Sequence, residues 1–251
     1  MTGTTGQSRT AFITGGARGI GRVFAQALVA DGTRVVLADI DGAAAEQAAA
    51  DLGAAVALGV ACDTADEASV QRAVDEAAAH FGGLDILINN AGKHLMAWSR
   101  PVTEISTAGW REILDVNVLG IVNCARACRP HLRRSGAGAV LNISSVSGFA
   151  ATDVYGITKL AVRGLTGALA KEFAPDGIRV NCLAPGPMDS ESAMADLPEA
   201  LLRDFIANKQ LIQRQGRMAD LVGAMRFFCG ADSAFITGET LIVGGGHPLR
   251  V

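Results

Sequence analysis

The strongest constraint on the fold of this 251-residue chain is the regular alternation of short apolar runs with segments of helical periodicity. Residues 35–38 and 86–88 are apolar at every position, which is typical of strands buried on both faces of a parallel sheet. Repeated right-handed crossovers between such strands produce a doubly wound α/β sheet. We therefore predict a flexible segment over residues 1–9 and a single α/β domain over residues 10–251. Its sheet should be mostly parallel and seven-stranded, with helices on both faces.

Several element boundaries can be predicted from the same pattern. Apolar positions spaced at 3.6 residues indicate helices over residues 65–81, 107–133 and 153–173. Thr152 or Asp153 is expected to cap the N-terminus of the third helix, because both side chains can accept backbone N–H groups. A loop is expected over residues 92–103. No linker, repeat or low-complexity segment interrupts the pattern.

Composition argues against several classes of partner. The formal net charge is −3 and no basic run stands out, so nucleic acid and anionic membranes are poor candidates. No apolar run approaches the ~20 residues that span a bilayer, and the N-terminal residues are small and polar without a signal pattern. A cytoplasmic location is expected.

The five cysteines form no Cys-x-x-Cys pair. Cys124 and Cys128 share a helix face, but no histidine or carboxylate pattern completes a zinc set. The sequence therefore predicts buried free thiols and no metal site.

A glycine-rich turn lies between the first predicted strand and the first predicted helix, over residues 14–21. Glycines there allow backbone N–H groups to approach a pyrophosphate at a helix N-terminus. Asp39 ends the second strand about 20 residues later, where a carboxylate can bind the hydroxyls of an adenosine ribose. It would repel a 2′-phosphate, and Ile40 after it supplies no compensating cation, so NAD is favoured over NADP. Arg18 is the one charge that argues the other way.

The only tyrosine, Tyr155, precedes Lys159 by one helical turn. An ammonium group about 4 Å from a phenolate stabilises it by roughly 4 kcal/mol at an effective dielectric constant near 20. That interaction would lower the pKa of the phenol from about 10 to about 7, the range useful for acid–base catalysis. The alternative is an ordinary surface pair on a helix.

Taken together, these motifs resemble the short-chain dehydrogenase/reductase family, whose members have a single Rossmann-type domain, over nearly the whole chain. Residues 14–21 fit the family's Thr-Gly-x-x-x-Gly-x-Gly turn, and residues 89–92 match its Asn-Asn-Ala-Gly segment. Ser190 stands where the family usually has threonine, in the stretch that holds the nicotinamide carboxamide. The resemblance implies a cofactor site that comprises Gly15, Arg18, Gly19, Ile20, Gly21, Asp39, Ile40, Cys62, Asp63, Asn90, Ala91, Gly92, Tyr155, Lys159, Pro185, Gly186, Met188 and Ser190.

The resemblance also implies a catalytic group of Asn117, Ser145, Tyr155 and Lys159. In the family's chemistry, Ser145 holds the substrate oxygen and Tyr155 passes a proton while hydride moves to or from the nicotinamide. Lys159 lowers the pKa of Tyr155 and binds the nicotinamide ribose, and Asn117 anchors a proton-relaying water. The segment between serine and tyrosine is shorter here than usual by about three residues. Ser144 and Ser147 therefore remain alternatives to Ser145 at the substrate.

The substrate is expected to be a hydrophobic secondary alcohol or ketone, because apolar side chains are predicted to frame the pocket. The same side chains would otherwise cover the core or an interface, and His94 would otherwise be a solvated loop residue. The predicted pocket residues are His94, Met96, Trp98, Ser147, Phe149, Met194 and Leu197. Residues 190–213 are a candidate lid.

Other readings of the chain remain open at this stage. A 3-oxoacyl thioester reductase of the same family is one, and a non-catalytic NAD-binding regulator is another. A nucleotide-type methyltransferase would share the glycine-rich turn but gives no reason for the Tyr155–Lys159 pair.

Members of the family usually form dimers or tetramers, which implies self-association here. Candidate packing positions are Ala125, Ala127, Val162, Leu165 and Ala168, together with the tail over residues 247–251.

Overall fold

The structure, a computed structural model, describes residues 8–93, 98–190 and 198–249. Most of the segment predicted to be flexible, residues 1–7, lies outside the described residues. Arg9 is already joined to the domain, because its guanidinium donates to the carbonyl oxygen of Cys229 at 2.7 Å.

Seven strands form one sheet in the order β3-β2-β1-β4-β5-β6-β7, and every neighbouring pair is parallel. The predicted doubly wound sheet is confirmed, and it is parallel throughout instead of mostly so. The strands are β1 (Thr10–Thr14), β2 (Arg34–Asp39), β3 (Ala57–Ala61), β4 (Ile86–Asn89), β5 (Ala139–Ile143), β6 (Arg179–Pro185) and β7 (Thr240–Val243).

Helices connect the strands across both faces of the sheet. They are α1 (Gly19–Ala30), α2 (Gly42–Leu52), α3 (Glu67–Phe81), α4 (Thr107–Leu114), α5 (Gly120–Ser135), α6 (Ser147–Ala150), α7 (Val154–Phe173), α8 (Glu199–Lys209) and α9 (Val222–Cys229). The long helix predicted over residues 107–133 is interrupted by a π-helical segment, Asp115–Leu119. The short helix α6 was not predicted; it occupies the segment between Ser145 and Tyr155. Asp153 caps α7, since its Oδ1 accepts from the N–H of Gly156 at 2.6 Å.

Burial on both faces of the sheet explains the uninterrupted apolar runs. Successive side chains of a strand point to opposite faces, so Phe12 packs on one side of β1 and Ile13 on the other, both fully buried. Phe12 packs with α3, α5 and α7, whereas Ile13 packs with α1 and α9. Full burial of such a side chain stabilises a fold by about 1.5–3 kcal/mol.

The order in which strands are added reverses between β1 and β4. The chain adds β2 and β3 on one side of β1, and then adds β4 to β7 on its other side. Ligands of doubly wound proteins bind beyond the carboxyl ends of the strands at this point. The glycine-rich turn after β1 and the Asn-Asn-Ala-Gly segment after β4 therefore meet there.

Three of the five positions predicted to pack against a second subunit are instead part of this chain's own core. Ala125 and Val162 are fully buried and Ala127 nearly so, in the cluster between the sheet and α3, α5 and α7. The spacing of small residues on a helix does not by itself say which layer the face meets. At the start of the predicted tail, the ring of His247 makes an edge contact with Phe205 of α8 at 4.9 Å between centroids.

All five cysteines are buried and unpaired, as predicted. In the parts of the chain that the structure describes, no helix has the length and apolar character required to cross a membrane. No group of three or more histidine, cysteine or carboxylate side chains suited to a metal ion occurs within residues 8–93, 98–190 and 198–249.

Candidate active site

A cleft of about 770 Å³ lies at the carboxyl ends of the strands. Its walls come from the glycine-rich turn, the ends of β2 to β6, the first turns of α7, and one face of α8. The cleft therefore joins the predicted cofactor site and the predicted catalytic group in one continuous space.

The glycine-rich turn is held against the sheet by Asn90, whose side-chain amide donates to the carbonyl oxygens of Thr14 and Gly15, both at 3.0 Å. Gly21 permits this close packing, because a Cβ atom there would lie 2.3 Å from the carbonyl oxygen of Gly15. Gly21 therefore supports the turn from behind and does not line the cleft.

The N-terminus of α1 opens into the cleft and is not capped by its own N-cap side chain. The N-cap residue, Arg18, makes no capping hydrogen bond to the first N–H groups of the helix. Gly19 has a left-handed backbone (φ +56°), and a Cβ atom there would meet no other atom within 4 Å. Free N–H groups at a helix N-terminus facing open space suit an anionic group such as a pyrophosphate.

Asp39 ends β2 at the edge of the cleft and is only 7% exposed. Its carboxylate accepts from the backbone N–H groups of Ala17 and Asp41, both at 3.2 Å. These bonds fix the carboxylate beside the glycine-rich turn. Arg18 is turned toward Asp41, 3.5 Å away, so this cation at the cleft has an acidic partner.

The Asn-Asn-Ala-Gly segment links the sheet to the residues predicted to be catalytic. Asn89 donates to Asn142 of β5 at 2.8 Å. A Cβ atom at Gly92 would lie 3.3 Å from Asn117 Oδ1 and 3.4 Å from Lys159 Nζ. Both polar atoms thus border the same glycine.

Tyr155 and Lys159 lie on the first turns of α7, facing the cleft. The Nζ atom of Lys159 lies 5.6 Å from the centre of the Tyr155 ring and donates to the carbonyl oxygen of Ile143 at 3.0 Å. Lys159 is only 5% exposed. Lys159 is therefore buried and Tyr155 partly buried, so the two do not form an ordinary surface pair.

The charge state of the pair differs from the expectation. Burial raises the pKa of Tyr155 to about 12; a hydrogen bond with Ser145 opposes this and the charge of Asp153 adds to it. Burial also lowers the pKa of Lys159 to about 8. The prediction that Lys159 brings the pKa of Tyr155 near 7 is wrong for the chain's own groups. Burial is the largest cause of the raised pKa, and the charge of Lys159 is not among the causes that oppose it.

The three serines after β5 have different surroundings. Ser144 is buried and its hydroxyl donates to the carbonyl oxygen of Lys159 at 2.7 Å. The Oγ atom of Ser145 accepts from the N–H of Ser147 at 3.2 Å and shares a hydrogen bond with the Tyr155 hydroxyl. The geometry therefore pairs Ser145 with Tyr155, while Ser144 anchors the backbone of α7.

Asn117 lies in the π-helical segment, fully buried, and does not line the cleft. Its Oδ1 accepts from the N–H of Lys93 at 2.8 Å, and its Nδ2 donates to Thr158 Oγ1 at 3.0 Å. The side chain thus binds protein groups at both ends.

Most of the cofactor residues predicted from the sequence come together in the cleft. All of them line it except Gly21. Of the predicted substrate residues, Ser147 lines the cleft, whereas His94, Met96, Met194 and Leu197 lie outside the described residues.

Two predicted pocket residues point elsewhere. Phe149 does not line the cleft; its ring stacks on the Arg163 guanidinium, 3.6 Å from the ring centre. Trp98 packs on α4, where a Cβ atom at Gly109 would lie 3.3 Å from its ring. The aromatic character of a loop residue indicates that it is buried somewhere, but it does not say in which direction.

Sequence reasoning missed several residues of the wall. Lys93 lines the cleft and its Nζ pairs with Glu112 at 2.6 Å; its place directly after Gly92 was the available signal. The other lining residues that were not predicted as site residues are Thr64, Val116, Ile143, Val146, Pro187, Leu201, Leu202, Asp204, Lys209 and Gln215.

Known proteins resemble this chain over nearly its full length. The profile of the family described as enoyl-(acyl carrier protein) reductase matches residues 15–247. An uncharacterized oxidoreductase of Mycobacterium tuberculosis is 38% identical over 97% of this chain and 98% of its own. A cis-4-hydroxycyclohexanecarboxylate dehydrogenase of Sinomonas cyclohexanicum is 36% identical over 95% and 96%. A 3-ketoacyl-(acyl-carrier-protein) reductase from Brucella melitensis, crystallised with NADH, is similar with a TM-score of 0.87 and 33% identity, over 97% and 99% of the two chains.

The fold and the cleft define a doubly wound α/β protein whose glycine-rich turn and serine–tyrosine–lysine group line one cleft. The chain belongs to the short-chain dehydrogenase/reductase family of oxidoreductases.

Proposed function

We propose that the protein is an NAD(H)-dependent oxidoreductase that interconverts a secondary alcohol and a ketone. The observation that carries the proposal is the single cleft, which is lined by the glycine-rich turn and Asp39 at one end and by Ser145, Tyr155 and Lys159 further along. A dinucleotide and a small substrate can meet in such a space, since the cofactor would run along the strand ends toward Tyr155.

The residues present fit a nicotinamide dinucleotide. The uncapped N-terminus of α1 suits the pyrophosphate, and the fixed carboxylate of Asp39 suits the adenosine ribose hydroxyls. Lys159 is proposed to bind the nicotinamide ribose. Pro185, Gly186, Met188 and Ser190 are proposed to surround the carboxamide, and they line the cleft. The bound nicotinamide would supply or accept the hydride.

A preference for NAD over NADP follows from the charges at the adenosine end. Asp39 would repel a 2′-phosphate, and Arg18 is partnered by Asp41. Ile40 is 73% exposed at the cleft and carries no charge. The similar Brucella melitensis reductase was crystallised with NADH, which agrees with this proposal.

The proton is proposed to pass through Tyr155. Ser145 shares a hydrogen bond with the phenol, so the two hydroxyls can bind one substrate oxygen together. A phenol whose pKa the chain raises to about 12 stays protonated at neutral pH, and it can donate to the oxygen of a ketone as that oxygen gains charge. In the reverse direction Tyr155 must accept the proton, which the nearby Lys159 ammonium favours.

Replacement of the phenol tests this function. We expect Tyr155→Phe to bind NADH with an affinity within about twofold of the wild type, because the ring is kept, and to lose turnover by about a thousandfold. NADH fluorescence measures the binding and provides the control within the same variant. A Tyr155→Phe protein with near-normal turnover would exclude Tyr155 as the proton donor.

The described part of the cleft supports a hydrophobic substrate. Apolar side chains from the segment after β6 and from α8 form much of its wall: Pro187, Met188, Leu201, Leu202 and Phe205. Lys93 and Lys209 add cations, and the Sinomonas relative is named for a cyclic alcohol that carries a carboxylate. A substrate panel should therefore include cyclic secondary alcohols with and without a carboxylate.

A 3-oxoacyl thioester reductase is the second candidate. It is favoured by the similarity to the Brucella melitensis reductase. Oxidation of NADH with a short 3-oxoacyl thioester, compared with simple ketones of equal chain length, separates the two. A preference of more than tenfold for the thioester would replace the first assignment.

Self-association is also proposed, as is usual in the family. Exposed positions on α7, namely Leu160, Gly164, Gly167 and Ala168, are available to a second copy, unlike the buried Ala125 and Val162. Sedimentation velocity measures the number of subunits; a monomer at micromolar concentration would exclude the proposal.

A further inference from the structure

We propose that Thr158 is a positioning residue for Tyr155, acting through Asn117 and the backbone of α7. The inference rests on the proposed function, in which Tyr155 transfers the proton. Thr158 lies between the two catalytic positions Tyr155 and Lys159 in sequence, but its side chain is fully buried and does not line the cleft.

Thr158 Oγ1 takes part in two hydrogen bonds. It donates to the carbonyl oxygen of Tyr155 at 2.8 Å and accepts from Asn117 Nδ2 at 3.0 Å. Asn117 Oδ1 in turn accepts from the N–H of Lys93 at 2.8 Å. This chain of bonds joins three parts of the site: the segment after β4, the π-helical segment, and the first turn of α7.

The second bond distinguishes Thr158 from an ordinary helical threonine. A threonine hydroxyl in a helix often donates to a carbonyl oxygen three or four residues earlier, and that bond alone has no long-range role. Here the same oxygen also accepts from Asn117, which is 41 residues away and fully buried. Removal of the hydroxyl would leave the Asn117 amide without this partner, which costs about 1–3 kcal/mol in a buried place.

The structure can relieve that loss by moving the π-helical segment or the first turn of α7. Movement of this turn displaces the Tyr155 hydroxyl from Ser145, because the carbonyl group of Tyr155 is one of the two anchors. Displacements of about 1 Å reduce catalytic rates strongly. The Ser145 hydrogen bond lowers the pKa of Tyr155, so a weaker bond raises it.

Several other titratable groups lie around the phenol and Lys159. Asp153 at the N-cap of α7 raises the pKa of Tyr155, and Lys159 lies one turn further along. Lys93 lines the same cleft from the segment after β4, and Cys182 of β6 acts on Lys159. None of them is bonded to the Thr158 hydroxyl.

The same helix contains a matched control. Thr166 is fully buried, donates to the carbonyl oxygen of Val162 at 2.8 Å, and accepts from Asn142 Nδ2 at 2.9 Å. Its bonds to Val162 and Asn142 therefore have the same chemistry as those of Thr158, two turns further from Tyr155, and it also shares a hydrogen bond with the thiol of Cys182. Thr166 does not line the cleft.

The test compares Thr158→Val with Thr166→Val, since valine keeps the shape of threonine and removes the hydroxyl. We expect both variants to lose similar stability in urea. Only Thr158→Val should lower kcat for alcohol oxidation, by about tenfold at neutral pH, and move the rising limb of the kcat–pH profile to higher pH. The Kd for NADH should stay within about twofold, and Thr158→Ser should restore the wild-type profile.

A second readout does not require turnover. Tyr155 is the only tyrosine, so tyrosine labelled with carbon-13 at Cζ gives one resonance in the NADH-bound protein. We expect Thr158→Val to shift it, and Thr166→Val and Thr158→Ser to leave it unchanged. Equal effects of the two valine variants, or a serine variant that fails to restore the profile, would overturn the positioning role.

If the wild type turns over no alcohol or ketone, the proposed function fails and the resonance still tests the role of Thr158. If Thr158→Val does not fold, Thr158→Ala compared with Thr166→Ala decides by the same two readouts.

Discussion

Lys159 is expected to destabilise the fold that it serves. Burial lowers its pKa from the ordinary 10.5 to about 8, which means that the folded protein holds the charged form at a cost. For a base with a lowered folded pKa, the unfolded chain binds more protons between the two pKa values, so stability rises with pH across that window. At about 1.4 kcal/mol per pKa unit, the buried charge lowers the free energy of unfolding by about 3 kcal/mol at pH 7 and by about 2 kcal/mol at pH 9.

Lys159→Met removes the charge and keeps most of the side-chain volume. The variant also loses the hydrogen bond to the carbonyl oxygen of Ile143, which costs about 1 kcal/mol or somewhat more. We therefore expect a net gain of about 1–2 kcal/mol at pH 7 in the free energy of unfolding, with loss of turnover. The hydrogen-bond contribution does not depend on pH, so the gain should shrink by about 1 kcal/mol between pH 7 and pH 9.

Urea unfolding of both proteins without added cofactor measures these differences. Lys171→Met is the control for the loss of a lysine from the same helix, because Lys171 is exposed in its last turn; it should give no comparable gain in stability at pH 7. A Lys159→Met protein that is less stable than the wild type at pH 7, or a difference that is constant from pH 7 to pH 9, would refute the reasoning.

Two further predictions concern the cofactor and the thiols. Asp39→Ala combined with Ile40→Arg should raise the ratio of kcat/KM for NADP over NAD at least about tenfold, with Ile40→Arg alone as the control; an unchanged ratio would argue against a role for Asp39 at the ribose. Burial raises the pKa of the cysteine thiols, to about 12 for Cys62 and Cys229, so the unfolded chain loses thiol protons first. The free energy of unfolding should therefore fall above about pH 9. Each such thiol should lower it by roughly 1.4 kcal/mol for every further pH unit. Cys62→Ala with Cys229→Ala should make that decline shallower in urea unfolding under reducing conditions, and an equal slope would contradict the prediction.

The order of strands and helices was predictable because local periodicity records burial. Residues 35–38 and 86–88 are apolar at every position since both faces of β2 and β4 are covered. Element ends were less predictable. The π-helical turn at Asp115–Leu119 depends on contacts that Asn117 makes with distant residues, and no periodicity within the helix contains that information.

The residues at the proposed cofactor end of the cleft were also predictable, because a tight turn and a close backbone approach require glycines at fixed spacings in a short segment. A glycine-rich turn followed by Asp39 needs only the strand–turn–helix order to come together. The wall near Tyr155 was harder to predict. From its place in the chain, Phe149 was expected to face the substrate. Its ring instead stacks on the guanidinium of Arg163, outside the cleft.

Sequence by itself thus determined the doubly wound sheet, the glycine-rich turn beside Asp39, and the spacing that puts Tyr155 and Lys159 on one face of a helix. Only the tertiary structure decided how deeply Lys159 is buried, which of Ser144 and Ser145 shares a hydrogen bond with Tyr155, and which groups the Thr158 hydroxyl contacts. The physical reason is that local pattern sets which backbone conformation forms and which side is buried. Burial depth and hydrogen-bond partners, in contrast, depend on residues far apart in the chain, such as Asn117 and Thr158.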